Sequence, residues 1–341
     1  MPSTALILGI TGGAGHAIAM ALRHHGWNLR ALHRDPAHAR ADLPAAADVE
    51  WRQGNAMIAD DVHSAAQGCD LIVHGVNPAG YRNWRELAIP MLGNSIEAAL
   101  AANARLLFPG NIYNYGPDAW PLIREPSPQN PISRKGQVRK EMEQMLATAS
   151  DRRGLRVLIV RAGDFFGGAG PGAWMERVMI RPGKPIRSVT YPGDPGTGHL
   201  WAYLPDLGET FARLAEREAD LARFETFHFG GHYLPRGIAM AEAIAEASGR
   251  SGVRIRRLPW TVLRTMALFN PTARELLEMR YLWFEDIRTD NRKLLDLLGE
   301  EPHTPLDEAL RRTLASLGCL PSGAPGALAK TTSPAGQPTR E

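Results

Sequence analysis

The chain has 341 residues, of which 44% are hydrophobic and 22% charged, and its formal net charge is +3. These values are ordinary for a globular protein with one large domain or two smaller ones. We find no Lys/Arg-rich run with interleaved aromatic residues, which argues against a nucleic-acid partner. The two cysteines, Cys69 and Cys319, lie far apart and in no metal-type spacing, so we expect neither a disulfide framework nor a bound metal ion.

No segment predicts membrane insertion or secretion. No stretch reaches 18 uncharged apolar residues, which a membrane-spanning helix needs. The first apolar run, Ala5–Leu8, is too short for a signal peptide and ends at Gly9. We therefore expect no membrane partner and a cytoplasmic location, and the lack of a cysteine framework fits a reducing compartment.

Short apolar runs alternate with amphipathic stretches over the first two-thirds of the chain. The runs predict buried strands at Leu6–Leu8, Leu29–Leu32, Leu71–Val73, Leu106–Phe108 and Val157–Val160. Helical patterns lie between them, at Ala14–His25, Val62–Gln67, Arg85–Ala101 and Val138–Ala149. This alternation predicts a parallel sheet with helices on both faces.

The pattern loosens after Arg161. The Gly- and Pro-rich stretch Gly163–Pro195 is expected to be irregular chain over a site. A helix is predicted over Leu204–Glu218 and a further strand over Thr226–Phe229. From Gly237 to Leu317 the pattern is mostly helical, and we expect its aromatic residues to pack between helices: Trp260, Phe269, Tyr281, Trp283 and Phe284.

These elements predict an α/β protein with a Rossmann-type, doubly wound parallel sheet and a smaller, mostly helical C-terminal substrate region. We expect a dinucleotide-binding domain over residues 1–163, completed by 198–232, and a substrate region over 164–197 and 233–318. Residues 319–341 form the tail, which is rich in Pro, Gly, Ser and Thr from Pro321 onward and is expected to be disordered.

A glycine-rich turn lies between the first strand and the first helix. Such a turn needs one glycine for an unusual backbone angle, another for close approach of backbone N–H groups to a diphosphate, and a third for helix–strand packing. The N-terminus of the following helix then faces the phosphates with unpaired N–H groups. The candidate cofactor-binding residues of the turn are Gly9, Thr11, Gly12, Gly13, Ala14 and Gly15.

The end of the second strand indicates which dinucleotide is bound. NAD-specific folds place an acidic residue there for the ribose 2′-hydroxyl, and Asp35 has suitable spacing. Asp35 precedes a proline, however, and is typical of a turn. Arg34 stands beside it, and a guanidinium suits a 2′-phosphate by charge and geometry. We therefore favour NADP(H) as the cofactor and keep NAD(H) as the alternative.

Several segments resemble the short-chain dehydrogenase/reductase superfamily, in its extended NAD-dependent epimerase/dehydratase branch or the neighbouring atypical branch. The turn Gly9-x-Thr11-Gly12-x-x-Gly15 matches that of the family. The other segments that carry the resemblance are Gly54-Asn55-Ala56, Asp70 to Asn77, Leu106 to Asn111 with Tyr115-Gly116, Arg161 to Gly167, Tyr203 to Leu207 and Thr304 to Leu310. The resemblance covers nearly the whole chain except the tail. It implies that Asn55 and Ala56 meet the adenine ring, and that Gly75, Val76 and Asn77 lie beside the cofactor.

The catalytic pattern departs from that of the family. The resemblance implies a serine, a tyrosine and a lysine four residues after the tyrosine. Here Asn111 stands near the serine position, Lys135 at the tyrosine and Arg139 at the lysine. No Tyr-x-x-x-Lys occurs within Gln129–Glu143.

Three hypotheses follow. In the first, Lys135 is the acid/base, with its pKa lowered by burial or by Arg134 and Arg139, while Arg139 holds the ribose and diphosphate. In the second, Tyr113 or Tyr115 donates the proton. In the third, the chain is a regulator that binds the cofactor without turnover.

The resemblance implies an oxidoreductase or an epimerase/dehydratase-like enzyme that moves a hydride between nicotinamide and a carbonyl or hydroxyl carbon of a small-molecule substrate. A nucleotide-sugar epimerase is an alternative. The resemblance also allows a homodimer formed through the helices at Arg85–Ala101 and Val138–Ala149.

Overall fold

The computed structural model describes residues 3–43, 46, 48–78, 84–168 and 173–320. The part of the predicted tail from residue 321 onward lies outside these residues. The described strands are β1 (Thr4–Leu8), β2 (Asn28–His33), β3 (Glu50–Gln53), β4 (Leu71–His74), β5 (Arg105–Asn111), β6 (Leu122–Ile123), β7 (Arg156–Ala162), β8 (Asp164–Phe166), β9 (Ser188–Tyr191), β10 (His199–Tyr203), β11 (Phe224–His228), β12 (His232–Leu234), β13 (Arg254–Arg257) and β14 (Arg288–Thr289).

Helices connect and cover these strands. They are α1 (Gly13–His24), α2 (Pro36–Asp42), α3 (Ala59–Ala66), α4 (Trp84–Ala102), α5 (Arg134–Arg153), α6 (Leu204–Glu216), α7 (Ala239–Ala247), α8 (Trp260–Met266), α9 (Pro271–Glu278), α10 (Arg292–Leu298) and α11 (Leu306–Ser316). None of the helices in the described part of the chain is long and apolar enough to span a membrane.

Seven parallel strands form the central sheet, in the order β11-β7-β5-β4-β1-β2-β3. Both faces of this sheet are buried, which explains the nearly continuous apolar sequences of its strands. In β1, Ala5 and Ile7 pack against α1 and α6, whereas Leu6 and Leu8 pack against α3, α4 and α5. The predicted doubly wound Rossmann-type fold is confirmed.

A third hydrophobic core lies in the C-terminal region. The fully buried side chains of Phe166, Trp201 and Trp283 belong to it, together with apolar residues of α7 and α11. Two small sheets support this core: β12-β10-β8, and the parallel pair β13-β9. The ring of His199 stacks on Trp283 with the centroids 4.0 Å apart and hydrogen-bonds to Asp164 at 2.9 Å.

The predicted strands of the central sheet are confirmed, with ends that differ by a few residues. β3 was not predicted, because its sequence Glu50–Gln53 is polar and lies exposed at the sheet edge. The irregular stretch predicted over Gly163–Pro195 is wrong in part, since it contains β8 and β9; its residues 169–172 lie outside the described part of the chain. The aromatic prediction holds for Trp283, which is 1% exposed, but is wrong for Phe269, which is 88% exposed.

Candidate functional site

Three glycines meet where β1 and β4 end and α1 begins. Gly9 has a φ of +94°, which side-chain-bearing residues disfavour. A Cβ on Gly9 would lie 2.6 Å from the carbonyl carbon of Gly75, and a Cβ on Gly15 would lie 2.3 Å from the carbonyl oxygen of Gly9. Because no side chain fits, the strand, the turn and the helix touch through their backbones. This contact brings the start of α1 to the carboxyl edge of the sheet.

The first turn of α1 offers its N–H groups at that edge. Gly12 precedes the helix and provides no side-chain cap, and the first N–H groups of a helix have no acceptor within it. Thr11 is exposed in the turn, and Gly13 and Ala14 are half-buried. Since a helix N-terminus carries a positive partial charge, this turn is suited to a phosphate or diphosphate.

Arg34 directly follows β2 and is exposed. Within the described part of the chain it forms neither a hydrogen bond nor an ion pair. The neighbouring Asp35 is the N-cap of α2, where its carboxylate accepts a hydrogen bond from the backbone of His38 at 3.0 Å. Asp35 was predicted to be a turn residue, and the structure makes it a helix cap instead. The end of β2 thus presents an exposed guanidinium beside a carboxylate whose Oδ1 atom caps α2.

Asn55 and Ala56 lie in the loop between β3 and α3. The side-chain oxygen of Asn55 accepts a hydrogen bond from the backbone N–H of Met57. The backbone N–H of Asn55 donates to the carboxylate of Asp61 at 2.8 Å. The carbonyl of Ala56 accepts from Asn94 on α4 at 2.9 Å. These hydrogen bonds fix the loop between two helices, at the same edge of the sheet as the glycine turn.

The loop after β4 carries the next predicted residues. Gly75 continues the sheet ladder by donating to Leu8 at 2.8 Å. Val76 is half-buried and Asn77 exposed. The side chain of Asn77 accepts a hydrogen bond from the Trp84 indole at 3.0 Å, which ties the loop to the start of α4.

Asn111 and Tyr113 lie where β5 ends. The buried side chain of Asn111 accepts from the backbone of Tyr113 at 3.0 Å, so it shapes the loop. Tyr113 is half-buried. The first turn of α5 packs on this loop because Gly136 has no side chain: a Cβ there would lie 2.1 Å from the carbonyl oxygen of Tyr113. Asn111, Tyr113 and the start of α5 are thus brought together.

Lys135 is 8% exposed in the first turn of α5, and its ammonium forms an ion pair with Glu275 of α9 at 3.1 Å. Burial lowers the pKa of Lys135, and the carboxylate of Glu275 opposes this effect. The nearby cation that also lowers this pKa is Arg177, rather than Arg134 or Arg139 as predicted from the sequence. Glu275 could not be predicted as the partner of Lys135, since the contact spans 140 residues.

Arg139 lies one turn further along α5, with its guanidinium over two aromatic rings. Its central carbon is 5.2 Å from the centre of the Phe108 ring and 5.5 Å from that of Trp84. Burial lowers the pKa of Arg139, and the charges of Tyr113 and Glu143 oppose this effect. Burial, with a further contribution from the charge of Arg139, lowers the pKa of His74 on β4 to about 3. Arg139 therefore joins the ends of β4 and β5.

Three buried nitrogens near this edge have no hydrogen-bond partner among the described residues. They are Nδ1 of His16, Nε2 of His74 and Nε of Arg139. Buried polar atoms are normally paired, so unpaired ones indicate places where water or a ligand supplies the partner. A polar ligand that runs from the start of α1 toward α5 fits this arrangement.

Tyr115 lies apart from the accessible residues. Its ring is fully buried, its hydroxyl hydrogen-bonds to His228 at 3.0 Å, and burial raises its pKa. The guanidinium of Arg161 lies 5.5 Å from the centre of its ring. Of the two tyrosines predicted as proton donors, only Tyr113 is partly accessible.

These features define the site of a Rossmann-type dinucleotide-binding protein. A side-chain-free turn and a helix N-terminus face the carboxyl edge of a parallel sheet, and a basic residue follows the second strand. No group of three or more His, Cys, Asp or Glu residues in the described ranges could hold a metal ion. Two cavities of about 330 and 450 Å³ lie in the C-terminal region, away from the glycine turn.

Comparisons with known proteins agree with this class. Residues 9–174, just under half of the chain, match the family model described as NAD(P)H-binding. None of the curated proteins searched matches the sequence. Solved structures that share the Rossmann-type fold include two nucleotide-sugar 4-epimerases and a 4,6-dehydratase.

Three of these structures cover most of the chain. UDP-N-acetylglucosamine 4-epimerase from Bacillus cereus has 15% identity and a TM-score of 0.69, and the match covers 92% of this chain and 95% of that one. UDP-glucose 4-epimerase from Bifidobacterium longum, in complex with NAD+ and UDP, has 14% identity and a TM-score of 0.69, over 96% and 100% of the two chains. dTDP-glucose 4,6-dehydratase from Streptomyces venezuelae, with NAD bound, has 17% identity and a TM-score of 0.69, over 92% and 96%.

Proposed function

We propose that the protein is an NADP(H)-dependent oxidoreductase that acts on a carbonyl or hydroxyl carbon of a small molecule. The observation that carries this proposal is the three-glycine contact among Gly9, Gly15 and Gly75, which brings the N-terminus of α1 to the carboxyl edge of the sheet, where it can face a diphosphate. The remaining cofactor residues are those of the glycine turn and of the loops at Asn55–Ala56 and Gly75–Asn77, together with Arg139.

Arg34 supports NADP(H) over NAD(H). It is exposed and unpaired among the described residues, whereas Asp35 is engaged as a helix cap. A guanidinium at this position attracts a 2′-phosphate, whereas the Oδ1 atom of Asp35 is engaged at the start of α2.

The proton-bearing group in this proposal is Lys135. When bound, the nicotinamide supplies or accepts the hydride. Lys135 supplies the proton to the substrate oxygen during reduction and removes it during oxidation. Its burial lowers its pKa toward the working range, and Glu275 holds the ammonium in place. Arg139 holds the cofactor, with its unpaired Nε as the donor.

Tyr113 is the second candidate for the proton donor. It is half-buried and lies in the loop that packs on the first turn of α5. It also interacts electrostatically with Arg139. Tyr115 has less support, because its hydroxyl is buried against His228.

The proposed substrate region comprises residues 164–197 and 233–318.

Two alternative functions remain. Solved structures of the same fold include 4-epimerases for UDP-sugars, which favours a nucleotide-sugar epimerase. The ion pair of Lys135 with Glu275 and the missing Tyr-x-x-x-Lys favour a regulator that binds NADP without turnover. We expect a cytoplasmic protein and allow a homodimer through α4 and α5.

Calorimetry with NADP and NAD, followed by NADPH oxidation with a panel of carbonyl compounds, tests the proposal. Gly15→Ala should abolish nucleotide binding, because its Cβ would meet the backbone of Gly9 at 2.3 Å. The matched control is Gly93→Ala in α4, where a Cβ meets no atom within 4 Å. Wild-type protein that binds neither nucleotide contradicts the proposal. Tight binding without turnover identifies the regulator, and bound NAD with no net redox change identifies the epimerase.

A further inference from the structure

One segment of the C-terminal region carries an unusual charge. Residues 247–274 contain six arginines and no aspartate or glutamate. Because the net charge of the whole chain is only +3, the rest of the chain is net negative. The segment spans β13, α8 and the start of α9. Its arginines are Arg250, Arg254, Arg256, Arg257, Arg264 and Arg274.

These arginines are exposed, and within the described ranges none of the six forms an ion pair. Arg250, Arg254 and Arg256 line a cavity of about 330 Å³ together with Arg187, which precedes β9 and is also exposed. The nearest acidic residues along α9 are engaged elsewhere, Glu275 by Lys135 and Glu278 by Arg134. Four guanidinium groups around one cavity form a strongly anion-attracting surface.

The tip of the α8–α9 hairpin is apolar and exposed. Val262, Met266 and Phe269 follow one another at intervals of four and three residues. They therefore form one stripe along α8 and the turn that follows it. Their exposures are 53%, 46% and 88%, and Leu268 beside them is 69% exposed. The opposite side of α8 is anchored, since the Trp260 indole donates to the carbonyl of Pro192. Large apolar side chains in such a group mark an interaction site.

Contrary to the expectation from the sequence that there is no membrane partner, we propose that this segment is a docking surface for a membrane that contains anionic lipids. The arginines of β13 and of the neighbouring cavity bind the phosphate headgroups. Val262, Met266, Leu268 and Phe269 enter the boundary between headgroups and acyl chains. Cations beside a narrow apolar stripe are the combination that holds an amphipathic surface segment at a bilayer without spanning it.

Two other occupants fit the same surface less well. A second copy of the chain would bring two sets of six unpaired arginines together, and like charges across an interface repel. A nucleic acid would use the arginines, but it would leave the aliphatic stripe exposed, because a duplex is held through its phosphates and a single strand stacks on aromatic side chains. Phe269 is the one exposed aromatic residue of this tip, because Trp260 packs against Phe284 and Arg280.

Co-sedimentation of the full chain with vesicles tests the proposal. We expect binding to phosphatidylcholine vesicles that contain phosphatidylglycerol, little binding to pure phosphatidylcholine, and release at high salt. The variant Leu268→Ser/Phe269→Ser should bind at least about tenfold more weakly, because it removes the apolar contact. The variant Arg254→Gln/Arg256→Gln/Arg257→Gln should lose on the order of a hundredfold in partitioning.

Matched controls change the same residue types far from the hairpin. Ile58→Ser removes an apolar side chain that is 50% exposed in the N-terminal half, and Arg152→Gln removes an exposed arginine at the end of α5. Both should bind vesicles like the wild type. No binding to anionic vesicles overturns the proposal. The proposal is also overturned if the protein binds a DNA duplex as tightly as anionic vesicles and the variant Leu268→Ser/Phe269→Ser binds that duplex like the wild type. Self-association of the chain that the same variant abolishes would overturn it as well. Circular dichroism of each variant shows that it is folded.

Discussion

Arg161 and Glu143 form a nearly solvent-free ion pair, in which Nη2 donates to Oε2 at 2.7 Å and the side chains are 4% and 6% exposed. Glu143 also accepts from Asn114 at 3.0 Å and from Gln129 at 2.8 Å. One carboxylate on α5 therefore ties together the end of β7 and the loop that follows β5.

Removal of Glu143 should destabilise the fold strongly. Glu143→Ala leaves Arg161 buried without its counter-charge, so we expect a loss of about 3–5 kcal/mol in the free energy of unfolding, measured with denaturant. The control is Glu141→Ala, because Glu141 pairs with Arg85 at the exposed surface of the same helix. This control should lose at most about 1 kcal/mol. Equal losses in the two variants would contradict the structural role of Glu143.

Arg34→Ala should weaken NADP binding much more than NAD binding. Loss of charge-assisted hydrogen bonds to the 2′-phosphate predicts an increase in the NADP dissociation constant of about 10- to 100-fold, measured by calorimetry. NAD affinity should hardly change. Arg40→Ala, an exposed arginine of α2, is the matched control and should leave both affinities unaltered. An equal effect of Arg34→Ala on both nucleotides would remove the NADP preference.

Lys135→Met should abolish turnover while NADP affinity stays within about twofold, because the ammonium transfers a proton and the glycine turn provides the binding. Tyr113→Phe should retain most of the activity. The opposite pattern would assign the proton transfer to Tyr113.

The variant Glu275→Gln tests the role of Lys135 through the pH dependence of activity. Loss of this carboxylate should lower the pKa of Lys135, so carbonyl reduction should begin to fall at a lower pH than in the wild type.

Acid should destabilise the protein through His74. Burial lowers its pKa in the folded state to about 3, whereas an unfolded histidine titrates near 6.5. Its contribution to stability is therefore complete above about pH 6.5 and is lost as the pH falls toward 3, by about 1.4 kcal/mol per pH unit. His74→Gln should show a correspondingly smaller decrease in the free energy of unfolding between pH 6 and pH 4. His63→Gln, on the exposed side of α3, should follow the wild type. If the free energy of unfolding of His74→Gln fell as much between pH 6 and pH 4 as that of the wild type, this assignment would be contradicted.

The sequence predicted the parts of the fold that depend on local patterns. Strands such as β1 are buried on both faces and therefore have continuous apolar sequences, and Gly9 and Gly15 are required by a turn that spans a few residues. Asp35 was predicted as a turn residue because Pro36 follows it directly, but the helix that it caps, α2, was not predicted. Polar β3 carries no such pattern, because it lies at the edge of the sheet.

The rest of the site depends on contacts between distant segments. The partner of Lys135 is 140 residues away, and the rings around Arg139 come from α4 and β5. No spacing in the sequence encodes these distances. Phe269 was expected in a core because aromatic residues are usually buried, but the hairpin exposes it. The six arginines of residues 247–274 were visible in the sequence; their significance depends on their exposure.

The edge strand β11 has a consequence for how this protein can be divided. It completes the central sheet beside β7, yet it comes from residues 224–228, after part of the C-terminal region has been made. A fragment that stops after β7 would leave the N–H and carbonyl groups of that strand unpaired along an apolar edge, and such edges promote aggregation. Shortened forms for expression should therefore keep the chain at least through β11. Grafting a different C-terminal region onto this nucleotide-binding framework requires two junctions, before and after β10 to β11, rather than one fusion point.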